Sequence, residues 1–183
     1  CHFIGHSTGA AVAITLASDH AEFVDHLVLV APEVFAAPPS PLARVMMLPL
    51  VGSVLFKQVL GRSIFRAFLQ RQMYAPGHNV PIQRIDGYFD TFNAPAAREA
   101  AHAVLRAQRD TRPAVARLTR IKAPTLVLWG RADTRLPLDA APRLVRQLQS
   151  AHLEFIDSGH SPHEEQPDQF IACVQRFLLD KRK

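Results

Sequence analysis

The sequence predicts an α/β fold, a mostly parallel sheet flanked by helices. Three observations carry that expectation: four short apolar runs that read as buried strands, helix patterns that alternate with them, and a glycine-flanked serine where the first run turns into the first helix. The runs are Cys1 to Gly5, Leu27 to Ala31, Thr125 to Gly130 and Leu153 to Asp157. Their hydrophobicity is nearly continuous, as expected of parallel strands covered on both faces.

The helix patterns follow in order. Gly9 to Ala17 is small and apolar all round, which suits a helix buried on both sides. Leu138 to Leu148 and Glu165 to Leu179 are amphipathic; in the latter, Phe170, Val174, Phe177 and Leu178 fall at i, i+4, i+7 and i+8 and form one face. From Pro32 to about Arg112 the strand rhythm stops. Ala37-Pro38-Pro39-Ser40-Pro41 reads as a stiff linker, Leu42 to Leu60 and Ser63 to Met73 as helices, and Pro76-Gly77 as a turn. Asn93 is expected to cap an alanine-rich helix running towards Arg109. The expected organisation is therefore a core made of residues 1–32 and 113–183, interrupted by a helical insertion at 33–112.

Composition narrows the class. A chain of 183 residues, 48% hydrophobic and 20% charged, can bury one substantial core. Its two cysteines, Cys1 and Cys173, are too few and too far apart for a disulfide framework or a paired-cysteine metal site, so a reducing, cytoplasmic setting is the expectation. The longest apolar stretch, Val45 to Phe56, is interrupted by Pro49, Gly52 and Ser53, which leaves no run of about 18 residues to span a membrane. The net charge of +5 comes partly from arginines scattered over Arg98 to Lys122 and from Lys181-Arg182-Lys183. No Phe, Trp or Tyr is interleaved between Arg98 and Lys122, so these charges read as solvated surface and not as a nucleic-acid footprint. The first residue is Cys1, within what reads as a strand already in progress; the protein is expected to begin upstream, where any leader would lie.

The chemistry is concentrated at three places. Gly5-His6-Ser7-Thr8-Gly9 matches G-x-S-x-G at a strand-to-helix turn, where small flanking residues allow a tight bend that presents a hydroxyl at a helix N-terminus. A serine hydroxyl is a weak nucleophile until a base takes its proton, so a carboxylate and a histidine should follow downstream, in that order. Asp133 stands just past the end of the Thr125 to Gly130 run, and His160 just past the end of the next. Strand ends of this kind are where open α/β sheets place their sites. Rivals exist for each role: Asp139, which also suits a helix cap, Asp157 at a strand end, and His163 as a second base. A metal site from His160, His163 and Glu164 is not expected, because Pro162 prevents a helix there and no distant third ligand is indicated. His6 is expected to support or pack behind the reacting groups, and Glu165 to open the last helix at its positive dipole end.

Gly159-His160-Ser161-Pro162-His163-Glu164-Glu165-Gln166-Pro167-Asp168-Gln169-Phe170 resembles the histidine loop of the α/β-hydrolase family, and Pro124-Thr125-Leu126-Val127-Leu128-Trp129-Gly130-Arg131-Ala132-Asp133 resembles its acid loop. With the serine turn, three matches in order bracket nearly the whole chain. The resemblance implies that Ser7 attacks a carbonyl, that His160 takes and later returns the proton, that Asp133 orients the imidazole, and that the Thr8 backbone N–H receives the oxyanion. It also implies that residues 33–112 form a helical cap. Relatives that open epoxides or displace halide need an aspartate at the position of Ser7, which sets those activities aside. The family's earlier strands and a second oxyanion donor would lie before Cys1. The chain as written is therefore the C-terminal part of such a fold, with an apolar edge strand, and is expected to be poorly soluble and weak in hydrolysis.

The insertion carries Met46, Met47, Leu48, Leu50, Phe56, Phe65, Phe68 and Met73; where these face the site they favour an apolar acyl or alcohol group, and the alternative is that they pack the insertion against the core. The expected partner is a small-molecule ester, with no cofactor and no metal; oligomeric state is not set by the sequence. Two alternatives stay open: hydrolysis of a carbon–carbon bond in a ring-cleavage product, and a small-ligand binder that has kept the scaffold without the turnover.

Overall fold

The structure is a computed structural model that describes residues 1–35, 44–45, 47–48, 51–54, 58, 60–107 and 110–179. The expected linker at 37–41, nine of the nineteen residues of the expected helix from Leu42 to Leu60, Met46, Leu50 and Phe56 among them, Arg109 and the Lys181 to Lys183 tail lie outside the described residues. In chain order the elements are β1 His2–His6, α1 Thr8–Asp19, β2 His26–Val30, a helical turn at Val51–Val54, α2 Arg62–Gln72, α3 Ile82–Phe92, α4 Pro95–Ala107, α5 Arg112–Arg117, β3 Thr125–Gly130, α6 Ala140–Val145, β4 Ala151–Ile156, α7 Pro162–Glu165 and α8 Pro167–Leu179. The chain packs as two compact units. One comprises Cys1–Phe35, Gln72–Pro76 and Thr111–Lys183, and the other Ala36–Arg71 and Gly77–Asp110.

The first unit is a four-stranded parallel sheet in the order β1-β2-β3-β4. The register sets His6 beside Val30, Val30 beside Leu128, and Gly130 beside Ile156, so the strands end nearly level. Alternate side chains feed two cores. Leu27, Leu29, Val127 and Trp129 pack with Ala10, Ile14, Leu118 and Leu144 on one face, while Val28, Val30, Leu126, Leu128 and Ile156 pack with Cys173, Val174 and Phe177 on the other. Each fully buried Leu, Ile or Val contributes roughly 1.5–3 kcal/mol. This two-sided burial explains why β2 and β3 read as uninterrupted apolar runs.

Helix α1 departs from the expectation of burial on both sides. Ala10, Ala13, Ile14 and Ala17 form one buried stripe, but Val12 is 70% exposed among the described residues. The stripe packs tightly on β1: a Cβ on Gly5 would lie 2.7 Å from the Ala10 Cα and 2.8 Å from the Gly9 carbonyl oxygen. The same test on Gly9 meets nothing within 4 Å, so the first glycine of the motif is sterically required and the second is not. Helix α8 buries Cys173, Val174 and Phe177, with Phe170 and Leu178 packed against the same core, as its periodicity predicts.

In the second unit, α3 was not evident in the sequence, because Pro81 and Gly87 bracket and interrupt it. Its buried Ile85 and Phe89 supply the reason it forms: Phe89 and Phe92 meet Phe65 of α2 at ring distances of 5.4 and 5.1 Å. Asn93 ends α3, two residues before α4 begins at Pro95, and its side-chain oxygen accepts from the Arg98 guanidinium at 2.8 Å.

Candidate active site

The site lies wholly within the first unit, on the loops that follow β1, β3 and β4. Ser7 follows β1 with φ 51° and ψ −118°. A β-carbon makes this left-handed conformation costly by about 1–3 kcal/mol, so it persists only where surrounding bonds enforce it. They do so here: the Ser7 N–H extends the ladder to the Val30 carbonyl at 2.9 Å, and the Ser7 carbonyl accepts from Ala10 N–H at 3.1 Å and Glu33 N–H at 3.4 Å. Ala31, one residue past β2, has φ 41° and donates to the Leu128 carbonyl at 2.9 Å.

Asp133 is held by the loop after β3, which is tied to the end of β4 through Arg131 N–H to Ile156 (2.8 Å) and Ala132 N–H to Ser158 (2.9 Å). Its Oδ1 accepts from the backbone N–H groups of Arg135 and Leu136 at 2.8 and 3.0 Å, and its side chain is fully buried. Its Oδ2 lies 2.9 Å from His160 Nδ1, and His160 Nε2 lies 2.9 Å from Ser7 Oγ. A carboxylate can only accept, so Nδ1 carries the hydrogen; the neutral ring then accepts the Ser7 hydroxyl proton at Nε2. His160 is 0% exposed and Ser7 9%. The structure thus brings Ser7, His160 and Asp133 into one continuous hydrogen-bonded chain able to pass a proton off the serine. Thr8 opens α1, where backbone N–H groups point out of the helix end.

The rivals stand elsewhere. Asp157 pairs on the surface with Arg131 at 3.1 Å, and Asp139 is exposed at the start of α6, where it makes no side-chain capping bond. His163 lies 3.7 Å from Glu164, and its ring is 4.7 Å from that of His6. His6 Nε2 donates to the His160 carbonyl at 2.8 Å. Burial pushes the His6 ring down from 6.5 to about 4; the His160 and His163 rings add to the fall, and the bond to the His160 carbonyl and the Glu164 charge oppose it. Burial lowers His163 as well. Among the described residues no group of three or more His, Cys, Asp or Glu is arranged to hold a metal ion.

Five further side chains brace this region without having been singled out for it. Arg135 bonds both Glu33 oxygens at 3.2 and 3.0 Å, joining the acid loop to the loop after β2. Glu165 does not open the last helix, which begins at Pro167, but ends α7; its two oxygens accept from Gly159 N–H and Ala75 N–H at 2.8 and 2.9 Å. Tyr74 donates its hydroxyl to Glu164 at 2.8 Å. The one sequence signal for any of these is proximity to Asp133 or His160, since the long-range partners are visible only in three dimensions.

A family model described as "Alpha/beta hydrolase family" matches residues 1–172. An uncharacterized protein of Mycobacterium tuberculosis is 31% identical over 194 residues, covering 96% of this chain and 54% of that protein. The 2-hydroxy-6-oxo-6-phenylhexa-2,4-dienoate hydrolase of Comamonas testosteroni is 28% identical over 186 residues, covering 98% of this chain and 63% of that enzyme. Among solved structures, a membrane phospholipase A described as a bacterial virulence factor superposes with a TM-score of 0.73 at 25% identity, covering 97% of this chain and 56% of that one. The chain therefore spans a little over half to under two thirds of the length of these similar proteins.

Proposed function

Because the chain belongs to the alpha/beta hydrolase family, we propose that it cleaves carboxylic esters of small or medium apolar groups through an acyl-enzyme on Ser7. The observation that carries this reading is the buried imidazole of His160, bonded at 2.9 Å to Ser7 Oγ on one nitrogen and at 2.9 Å to Asp133 Oδ2 on the other. As Oγ attacks the carbonyl carbon, His160 takes its proton. The proton then passes to the departing alcohol oxygen as the ester bond breaks, and water repeats the cycle to release the acid. Asp133 keeps the ring in the required tautomer and stabilises the imidazolium. The Thr8 N–H meets the oxyanion, a contact worth about 2.7–4 kcal/mol in such sites.

Residues 33–112 are read as the substrate-selecting cap, on their place in the chain and their apolar content. No step transfers an electron, so the reading includes no cofactor, and the substrate is the only partner it requires. Its two cysteines are free thiols, and no helix among the described residues is long and apolar enough to cross a membrane; the thiols support a cytoplasmic setting.

The similarity to the Comamonas dienoate hydrolase favours a second reading, in which the same serine attacks a ketone and a carbon–carbon bond breaks. In the protein with its upstream segment present, labelling by a fluorophosphonate, abolished by Ser7→Ala, together with turnover of p-nitrophenyl esters, is the expected result. Asp133→Asn should lower kcat about 10⁴-fold. Turnover of a dienoate ketone without ester turnover would replace the first reading by the second. A folded protein that neither labels nor turns over either substrate would reject both and leave a binder on the same scaffold.

A further inference from the structure

Two side chains outside the proton path grip the main chain of His160. His6 donates from Nε2 to the His160 carbonyl at 2.8 Å. Glu165, 9% exposed, accepts at Oε1 from the N–H of Gly159, the residue before His160, and at Oε2 from Ala75 N–H. Gly159 is wedged in place as well, since a Cβ there would run into the backbone of Tyr74 and Ala75. The Tyr74 hydroxyl bonds Glu164 beside it at 2.8 Å. A carboxylate with each oxygen engaged by a backbone N–H makes charge-assisted bonds of fixed direction. Buried in this way, it does more than neutralise a helix end.

We propose that Glu165 and His6 are positioning residues that set the reach of the His160 imidazole to Ser7 by pinning the main chain at Gly159 and at the His160 carbonyl. This rests on the reading of His160 as the base. The physical reason is that the imidazole is carried on a two-bond stem, so its distance to Ser7 follows the backbone. A displacement of about 1 Å in such a constellation costs roughly a hundredfold in rate. Glu165→Gln turns one of the two acceptors into an N–H₂ group facing an N–H. His6→Phe removes the donor but keeps a ring, whereas His6→Gln returns an N–H that reaches the same carbonyl.

The test, on the protein with its upstream segment present, measures kcat and KM for p-nitrophenyl butyrate, normalised to the sites titrated by a fluorophosphonate, with melting temperatures recorded alongside. Glu165→Gln should lower kcat roughly tenfold to a hundredfold with KM within about twofold. His6→Phe should lower kcat about tenfold, and His6→Gln should recover most of the loss. Lower melting temperatures with kcat per titrated site unchanged would overturn the proposal, and so would a raised KM with kcat kept. If Glu165→Gln does not fold, the His6 pair decides: equal kcat in His6→Phe and wild type refutes the positioning role. Turnover surviving in Ser7→Ala would defeat the parent reading and this one together. Loss in Ser7→Ala with full kcat in Glu165→Gln and His6→Phe defeats the positioning role alone.

Discussion

Replacing His6 by glutamine should make the fold less sensitive to acid. Burial, with the His160 and His163 rings nearby, drops the His6 ring from 6.5 to about 4, despite its bond to the His160 carbonyl and the opposing charge of Glu164. Between these two values the unfolded chain binds a proton at His6 that the folded chain does not, so stability rises with pH through this window and falls as pH drops from about 6.5 towards 4. At about 1.36 kcal/mol per pH unit, the full loss is about 3 kcal/mol, most of it reached by pH 4.5. Glutamine does not titrate and can keep the bond to the His160 carbonyl. With a urea slope of about 2 kcal/mol per molar, the wild-type midpoint should fall by about 1 M more than that of His6→Gln between pH 7.5 and 4.5. Groups with no coupling to His6 titrate alike in both proteins and cancel in the difference. Parallel midpoint curves for the two proteins would refute the reasoning, because His6 would then bind its proton equally well folded and unfolded.

Two further outcomes follow from backbone and packing. Ser7→Gly and Ser7→Ala both lose the hydroxyl, but only glycine relaxes φ 51°; Ser7→Gly should be the more stable by about 1 kcal/mol in chemical denaturation. Equal stability would show that the turn stores no strain. Gly5→Ala should destabilise by about 1–3 kcal/mol, because its Cβ would stand 2.7 Å from the Ala10 Cα and α1 would have to shift off β1. An unchanged melting temperature would contradict the tight packing at that contact.

Much of the sheet was legible in the sequence. β2 and β3, buried on both faces, read as unbroken apolar runs, and β3 was placed to the residue. The face of α8 was equally plain, because Val174 and Phe177 follow the helical period. Helix α3 was not legible, since Pro81 and Gly87 obscure its pattern and its support is the aromatic contact with Phe65.

By itself, the sequence determined which side chains stand at the strand ends: the hydroxyl of Ser7, the carboxylate of Asp133 and the imidazole of His160, the groups to which the proposed roles are given. Short-range sterics act over a few residues, and the intrinsic chemistry of each side chain belongs to the residue itself, so both leave their mark in the residue string. Only the tertiary structure decided which carboxylate meets His160, that Glu165 braces Gly159 from five residues downstream of His160, and that Ala75 is its other partner. Those contacts join residues 27, 6 and 90 positions apart. Directional bonds of about 2.9 Å between such distant points are set by the register of the whole sheet, and no local pattern encodes it.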